Sequence, residues 1–272
     1  MKPPINKAVV TLAIGDLYAR MGKSTHPLMK NYSEKVNADF IIINDPIISK
    51  ATGLPAKYEK FQLYDILSRY QRVIFVDSDI VILPTTPDLF KLIDIDVFAA
   101  VSEESFSGAK LEKEVTQKEL GSVEWSRPYF NSGVMVIPTS ARELFNPNNP
   151  KLPYWAAGEF RKQHPTLLND QPFLNHLVNK NKVEFYELPY KFNHTRAMPG
   201  SNDRFNSFMI HFSGASGHRY GERLDQIKLD SNVAKNPLLM KLSMKYPLYR
   251  WLADRLNMYF IFYLFKKMQR QK

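Results

Sequence analysis

Along the chain, short and nearly uninterrupted apolar or β-branched runs alternate with longer amphipathic stretches. The short runs fall at residues 8–14, 39–43, 73–76, 97–101, 130–137, 183–188 and 208–212. Runs this short and this apolar suit strands that are covered on both faces, as in a parallel sheet. Between the second and third lies KYEKFQLYDILSRYQ, in which Tyr58, Phe61, Tyr64, Ile66 and Leu67 recur at helical spacing while Lys60 and Arg69 stay outside that stripe. It predicts a crossover helix that delivers the chain to the strand VIFVD. The pattern is that of an α/β fold, with a mostly parallel central sheet flanked by helices. Residues 102–127 are polar, charged and without periodicity, and 146–153 read NPNNPKLP. Both predict long loops at strand ends, where such folds keep substrate lids. Asn236 followed by Pro237 predicts an N-cap and a new helix. The chain accordingly divides into a Rossmann-like domain over 1–235 and a C-terminal helical segment over 236–272.

Composition narrows the chemistry. The 272 residues are 44% hydrophobic, enough for a substantial core. There is no cysteine, which excludes disulfides and thiolate metal sites, so any metal must be held by carboxylate, imidazole or hydroxyl. The first apolar run ends almost at once in Asp16, which predicts a first strand rather than a signal peptide. No run approaches the roughly 18–20 apolar residues of a membrane span. These features predict a cytoplasmic protein.

The net charge is +10, and nine basic residues against the single acid Asp254 place +8 of it within 235–272. The remainder is nearly neutral. The basic segment also carries MYFIFYLF at 258–265, with Tyr246, Tyr249 and Trp251 nearby. Cationic residues interleaved with large aromatics suit an anionic membrane surface and lack any nucleic-acid reading motif. The expectation is peripheral association with the cytoplasmic membrane face through residues 236–272. The competing expectation is that Leu238, Leu239, Leu242, Leu252, Leu256 and Tyr259 pack back on the main domain.

The sharpest chemical signal is VIFVDSDIVIL, where Asp77 and Asp79 flank Ser78 directly after an apolar strand. The carboxyl end of a central parallel strand is where α/β folds bind ligands. Two carboxylates there repel one another unless a cation lies between them and a substrate phosphate. Magnesium or manganese fits that donor set. Taken alone, Asp-Ser-Asp also reads as a polar turn. His211 ends another apolar run and precedes SGASG, a loop whose backbone N–H groups can approach phosphate oxygens. Paired with the two aspartates it becomes a nitrogen ligand, although a lone strand-end histidine is commonly structural. Asn131 also reads as a turn residue or satisfied core group, and Asp170 as the N-cap of QPFLNHLV.

In their order along the chain these motifs resemble glycosyltransferase family 8, the group of glycogenin, galactinol synthase and bacterial lipooligosaccharide galactosyltransferases. The resemblance runs through most of residues 8–220 and implies the GT-A fold. It implies that VTLAIGDLYAR embraces the uridine of a UDP-sugar through Thr11, Leu12 and Tyr18. Lys60 matches the lysine that reaches the donor phosphates. The D-S-D matches the metal site, with Ser78 between its ligands. YFNSGVMVI resembles the family's F-N-S-G strand and implies Asn131 and Ser132 near the donor sugar. LLNDQPFLN resembles the Asp-Gln pair that handles the transferred sugar, here Asp170 and Gln171. FMIHFSG resembles the segment that supplies the third metal ligand, His211, with Gly214 close to the diphosphate. One departure stands out: the family motif continues to a lysine where this chain has Gly217, leaving His218 or Arg219 to supply that charge.

The chemistry implied is metal-dependent transfer of a hexose, glucose or galactose, from UDP-hexose to a glycan or lipid-linked acceptor. It proceeds with retention of anomeric configuration, and the acceptor hydroxyl attacks from the face of departure. Gln171 lines the opposite face, and Asp170 holds sugar hydroxyls. Two other readings remain. One is a nucleotide-sugar-binding protein that has lost turnover, motivated by Gly217. The other is a sugar-1-phosphate nucleotidyltransferase, whose glycine-rich basic loop AIGDLYARMGK matches poorly.

Overall fold

The computed structural model describes residues 6–106, 108–157, 170–195, 201–214 and 223–246. Six strands form one sheet: β1 (Lys7–Leu12), β2 (Asp39–Ile43), β3 (Arg72–Asp77), β5 (Phe98–Ser102), β6 (Phe130–Pro138) and β7 (Phe185–Leu188). Their spatial order is β2-β1-β3-β6-β5-β7, and β6 alone runs against the others. The expected α/β class and mostly parallel sheet are therefore present, and each expected apolar run lies in a strand. Alternation explains why the strands read as continuously apolar. Ala8, Val10, Val73 and Phe75 face one core, while Val9, Ile74 and Val76 face the other. Each of the valine, isoleucine and phenylalanine side chains contributes roughly 1.5–3 kcal/mol on burial.

A second, two-stranded sheet pairs β4 (Ile80–Ile82) with β8 (Met209–His211) antiparallel. The sequence pattern gave no separate strand at β4, because Ile80–Ile82 follows the aspartates as a mere extension of VIFVD. The small sheet packs among α1 (Asp16–Lys35) and the helices Arg223–Ala234 and Pro237–Lys245 in a third apolar cluster.

Two loop expectations are corrected. Within 102–127 the chain forms a helix, Ala109–Leu120, whose buried face is Ala109, Glu112, Thr116 and Leu120. Half of that face is polar, so no apolar period marks it. The proline-punctuated loop ends early, since a helix begins at Lys151. The expected crossover helix is also different. It is a 3₁₀ segment, Ala56–Gln62, followed by a single α-turn, Leu63–Ile66. A three-residue period aligns Tyr58 with Phe61 towards the core and Lys57 with Lys60 towards the cleft described below.

Asn236 caps the helix Pro237–Lys245 as expected, accepting from the N–H groups of Leu238 and Leu239 at 3.1 Å each. Leu239 and Met240 are buried, whereas Leu238, Met244 and Tyr246 are exposed. The aromatic run at 258–265 lies outside the described residues, as do Gly217, His218 and Arg219. Among the described residues no helix is long and apolar enough to cross a membrane.

Candidate active site

A cleft of about 390 Å³ opens at the carboxyl ends of β1 and β3. Asp77 is the last residue of β3, the strand between β1 and β6, so the sheet delivers its carboxyl to the cleft floor. The register of the small sheet does the rest. Ile80 pairs with His211, and the N–H of Phe212 donates to the carbonyl of Asp79 at 3.1 Å. This ribbon lays His211 beside Asp79, with 3.4 Å between His211 Nε2 and Asp79 Oδ1. Asp77, Asp79 and His211 each offer a ligand atom, all within 4.8 Å of one another.

The histidine is oriented by a chain of hydrogen bonds that begins at a backbone donor. The N–H of Gly133 donates to Asn131 Oδ1 at 2.8 Å, which fixes that amide. Asn193 Nδ2 donates to the same oxygen at 2.7 Å, so Asn193 turns its Oδ1 towards His211 Nδ1, also at 2.7 Å. His211 therefore donates from Nδ1 and presents the lone pair of Nε2 to the aspartates when neutral. The arrangement has no spare room: a Cβ at Gly133 would fall 2.5 Å from His211 Cε1. Two carboxylates and an oriented imidazole form a donor set that fits a divalent cation such as manganese or magnesium.

Charge is distributed unevenly among the acids. Burial pushes the Asp77 carboxyl up despite Lys60 beside it. Burial also acts against ionisation of Asp79, but His211 and then Arg223 outweigh it and hold that carboxyl down at about 2. Arg223 Nη2 donates to Asp79 Oδ2. On the opposite side, Lys60 Nζ donates to Asp170 Oδ2 at 2.6 Å and to Ser132 Oγ at 3.1 Å, and lies 3.6 Å from Asp77. Burial alone would lower the lysine, yet Asp170 and Asp77 raise it, so it remains an ammonium.

The family profile described as Glycosyl transferase family 8 matches residues 15–216, most of the chain. The chain belongs to glycosyltransferase family 8. Among solved structures, the apo form of WbbM, a bifunctional glycosyltransferase, superimposes with a TM-score of 0.55 at 16% identity. The match covers 89% of this chain and 52% of that one, so this chain spans about half the length of WbbM. The galactosyltransferase LgtC, in complex with donor and acceptor sugar analogues, matches at a TM-score of 0.49 and 16% identity, over 83% of this chain and 95% of its own. The glycosyltransferase GlyE of Streptococcus pneumoniae TIGR4 matches at 0.49 and 14% identity, over 87% and 62%. At 16% identity the likeness to WbbM concerns the fold alone, and the mixed α/β sheet is that of the GT-A type. No curated protein sequence is similar enough to this chain to count as a relative.

The residues singled out from family 8 motifs gather at this cleft. Leu12, Tyr18, Lys60, Ser78, Asn131, Ser132, Asp170, Gln171 and Gly214 line it together with the three metal-ligand candidates. Thr11 sits behind, fully buried, with Oγ1 3.5 Å from Ser78 Oγ. The hydroxyl of Ser78 donates to the carbonyl of Leu12, and so ties the Asp-Ser-Asp turn to β1. Gly214 adopts φ +83°, a conformation that favours glycine where the chain leaves β8. Gln171 accepts from the N–H of Ser132 at 3.2 Å and donates to Glu103 at 3.1 Å. Asp170 is the first residue of the helix Asp170–Lys180, and its carboxylate is used by Lys60 and Ser132.

Sequence reasoning missed Asn193, Gly133 and Arg223. Asn193 follows a one-turn 3₁₀ helix in YKFNH, where no period or glycine pattern marks it. Gly133 stands inside the F-N-S-G motif, where a glycine, having no side chain, carries no mark of the backbone N–H that it donates to Asn131. Arg223 opens a helix whose residues show no apolar stripe, and only the fold returns it to Asp79.

Proposed function

We propose that this family 8 glycosyltransferase transfers a hexose from a UDP-sugar to a glycan or lipid-linked acceptor in a reaction that depends on manganese or magnesium. The observation that carries this reading is the convergence of Asp77, Asp79 and His211 within 4.8 Å, at the floor of a cleft bordered by the family's motifs. Those three residues would hold the ion. A bound divalent cation supplies Lewis-acid stabilisation of the charge that builds on a departing diphosphate. Tyr18 and Leu12 border the end of the cleft that would take the uridine, with Thr11 buried behind them. Gly214 offers its backbone to the diphosphate, and Lys60 adds positive potential beside Asp77. Asn131, Ser132, Asp170 and Gln171 surround the sugar. Asp170, kept ionised by Lys60, accepts hydrogen bonds from sugar hydroxyls and so discriminates among hexoses. Gln171 lines the face away from the acceptor, in keeping with retention at the anomeric carbon.

The deciding experiment measures UDP release from a panel of UDP-hexoses, with manganese and with a chelator, for the native chain and for Asp79→Ala. Release from one donor should require the metal and fall about 10³-fold in the variant. UDP binding without release from any donor would support the non-catalytic reading instead, and product with inverted configuration would refute retention.

The exposed Leu238, Met244 and Tyr246, next to Lys241 and Lys245, support membrane-surface association through 236–272, which favours a lipid-linked acceptor. Deleting 247–272 together with Leu238→Ser, Met244→Ser and Tyr246→Ser should abolish sedimentation with anionic vesicles and leave hydrolysis of the donor intact. Undiminished sedimentation of the shortened chain would refute the association.

A further inference from the structure

Two cations that line the cleft, Lys60 and Arg223, are already paired with acids. Lys60 is shared between Asp170 at 2.6 Å and Asp77 at 3.6 Å. Asp79 has its own counter-ion, Arg223, whose Nη2 donates to Oδ2. That contact takes up an oxygen of one of the three residues whose ligand atoms converge. Arg223 lines the same cleft as Ser213 and Gly214, and its side chain is 17% exposed. Its Nε is buried with no partner among the described residues. A guanidinium presents a fork of donors that suits two oxygens of one anion. Here part of that fork is used by Asp79 and part is left over.

We propose that Arg223 supplies the leaving-group cation for which family 8 normally carries a lysine at the position of Gly217. With no metal bound it neutralises Asp79; when a divalent ion takes its place there, the guanidinium turns to the donor diphosphate. This inference rests on the nucleotide-sugar reading above. It gives each anion a cationic neighbour, since the ion balances Asp77 and Asp79, Lys60 balances Asp170, and the diphosphate, shared with the ion, faces Arg223. An arginine with this double task competes with metal in the empty site and strengthens diphosphate binding in the loaded one. An arginine that only braces the fold does neither.

The test is calorimetric titration of the full chain with Mn²⁺ alone, then with UDP and with uridine at saturating Mn²⁺. It compares the native protein with Arg223→Gln, Arg223→Lys and Arg219→Ala. Arg223→Gln should bind Mn²⁺ alone about 10-fold more tightly and UDP about 10–100-fold more weakly, with uridine unchanged. Arg223→Lys keeps the charge without the fork and should lose UDP affinity by a smaller factor, so it carries the test if the glutamine variant does not fold. Unchanged UDP affinity in both Arg223 variants, weaker Mn²⁺ binding, or the loss of UDP affinity appearing in Arg219→Ala would overturn the proposal. A native chain that binds no UDP overturns the donor reading itself, and this inference with it.

Discussion

One group of acids lines the cleft and another lies behind it, and the two are held by different means. Asp77, Asp79 and Asp170 are held by cationic or imidazole partners: Lys60, Arg223 and His211. Glu103 and Glu112, a short distance behind Gln171, are held by neutral donors. Gln171 donates to Glu103, and Tyr129 donates its hydroxyl to Glu112. Burial, only partly offset by Tyr129, raises Glu112 from its ordinary 4.5 to about 7. The first group has charge that an arriving ion or diphosphate can redistribute. In the second, burial lets Glu112 hold its proton up to about pH 7, and Gln171 and Tyr129 link the two acids through hydrogen bonds, which suits a rigid support for Gln171.

The largest effect that tests this contrast is on stability. Replacing Lys60 by Met leaves Asp170 and Asp77 facing one another without their shared cation, and should cost about 3–5 kcal/mol in urea unfolding. Adding Asp170→Asn should restore a good part of that loss. Equal stability of Lys60→Met and the native chain would show that the acids are neutralised in some other way.

The second group gives a smaller effect with a defined pH dependence. Because the folded pKa of Glu112 lies above its unfolded value, the folded state holds a proton that the unfolded state releases, so stability falls as pH rises from about 4.5 to about 7. Glu112→Gln removes that fall. It should melt with the native chain near pH 4 and exceed it by up to about 3 kcal/mol near pH 8. A gain that is the same at both pH values would contradict the assignment.

The smallest effect probes the orientation of His211. Asn193→Ala breaks the relay from Gly133 and should weaken Mn²⁺ binding about 10–100-fold while changing the melting temperature little. Gly133→Ala, which pushes a methyl against the imidazole, should act on the metal in the same direction. Unaltered Mn²⁺ affinity in both would remove the relay from the account.

The same contrast shows what a sequence can reveal. The candidate metal ligands were legible because Asp77 and Asp79 interrupt an apolar strand abruptly, and because His211 does the same at β8. The central runs at β1, β3 and β5 were legible because burial on both faces leaves almost no polar position to blur them, whereas the edge strands β2 and β7 are partly exposed and were read from their β-branched and aromatic residues. Glu112 was not legible, since it sits on a buried helix face shared with Thr116, where an acid reads as surface. Arg223 and Asn193 were hidden for another reason: their roles come from long-range register, through the pairing of β4 with β8, and not from local pattern. The 3₁₀ form of residues 56–62 was also hidden, because periods of 3.0 and 3.6 cannot be told apart over two turns.

Anomalous diffraction at the manganese edge from crystals grown with Mn²⁺ and UDP tests the central claim most directly. The account predicts one peak in direct coordination with Asp77, Asp79 and His211 Nε2, with UDP bridging it and Arg223 released from Asp79 Oδ2. A peak held by other residues, or UDP bound with no metal between the two aspartates, would contradict it.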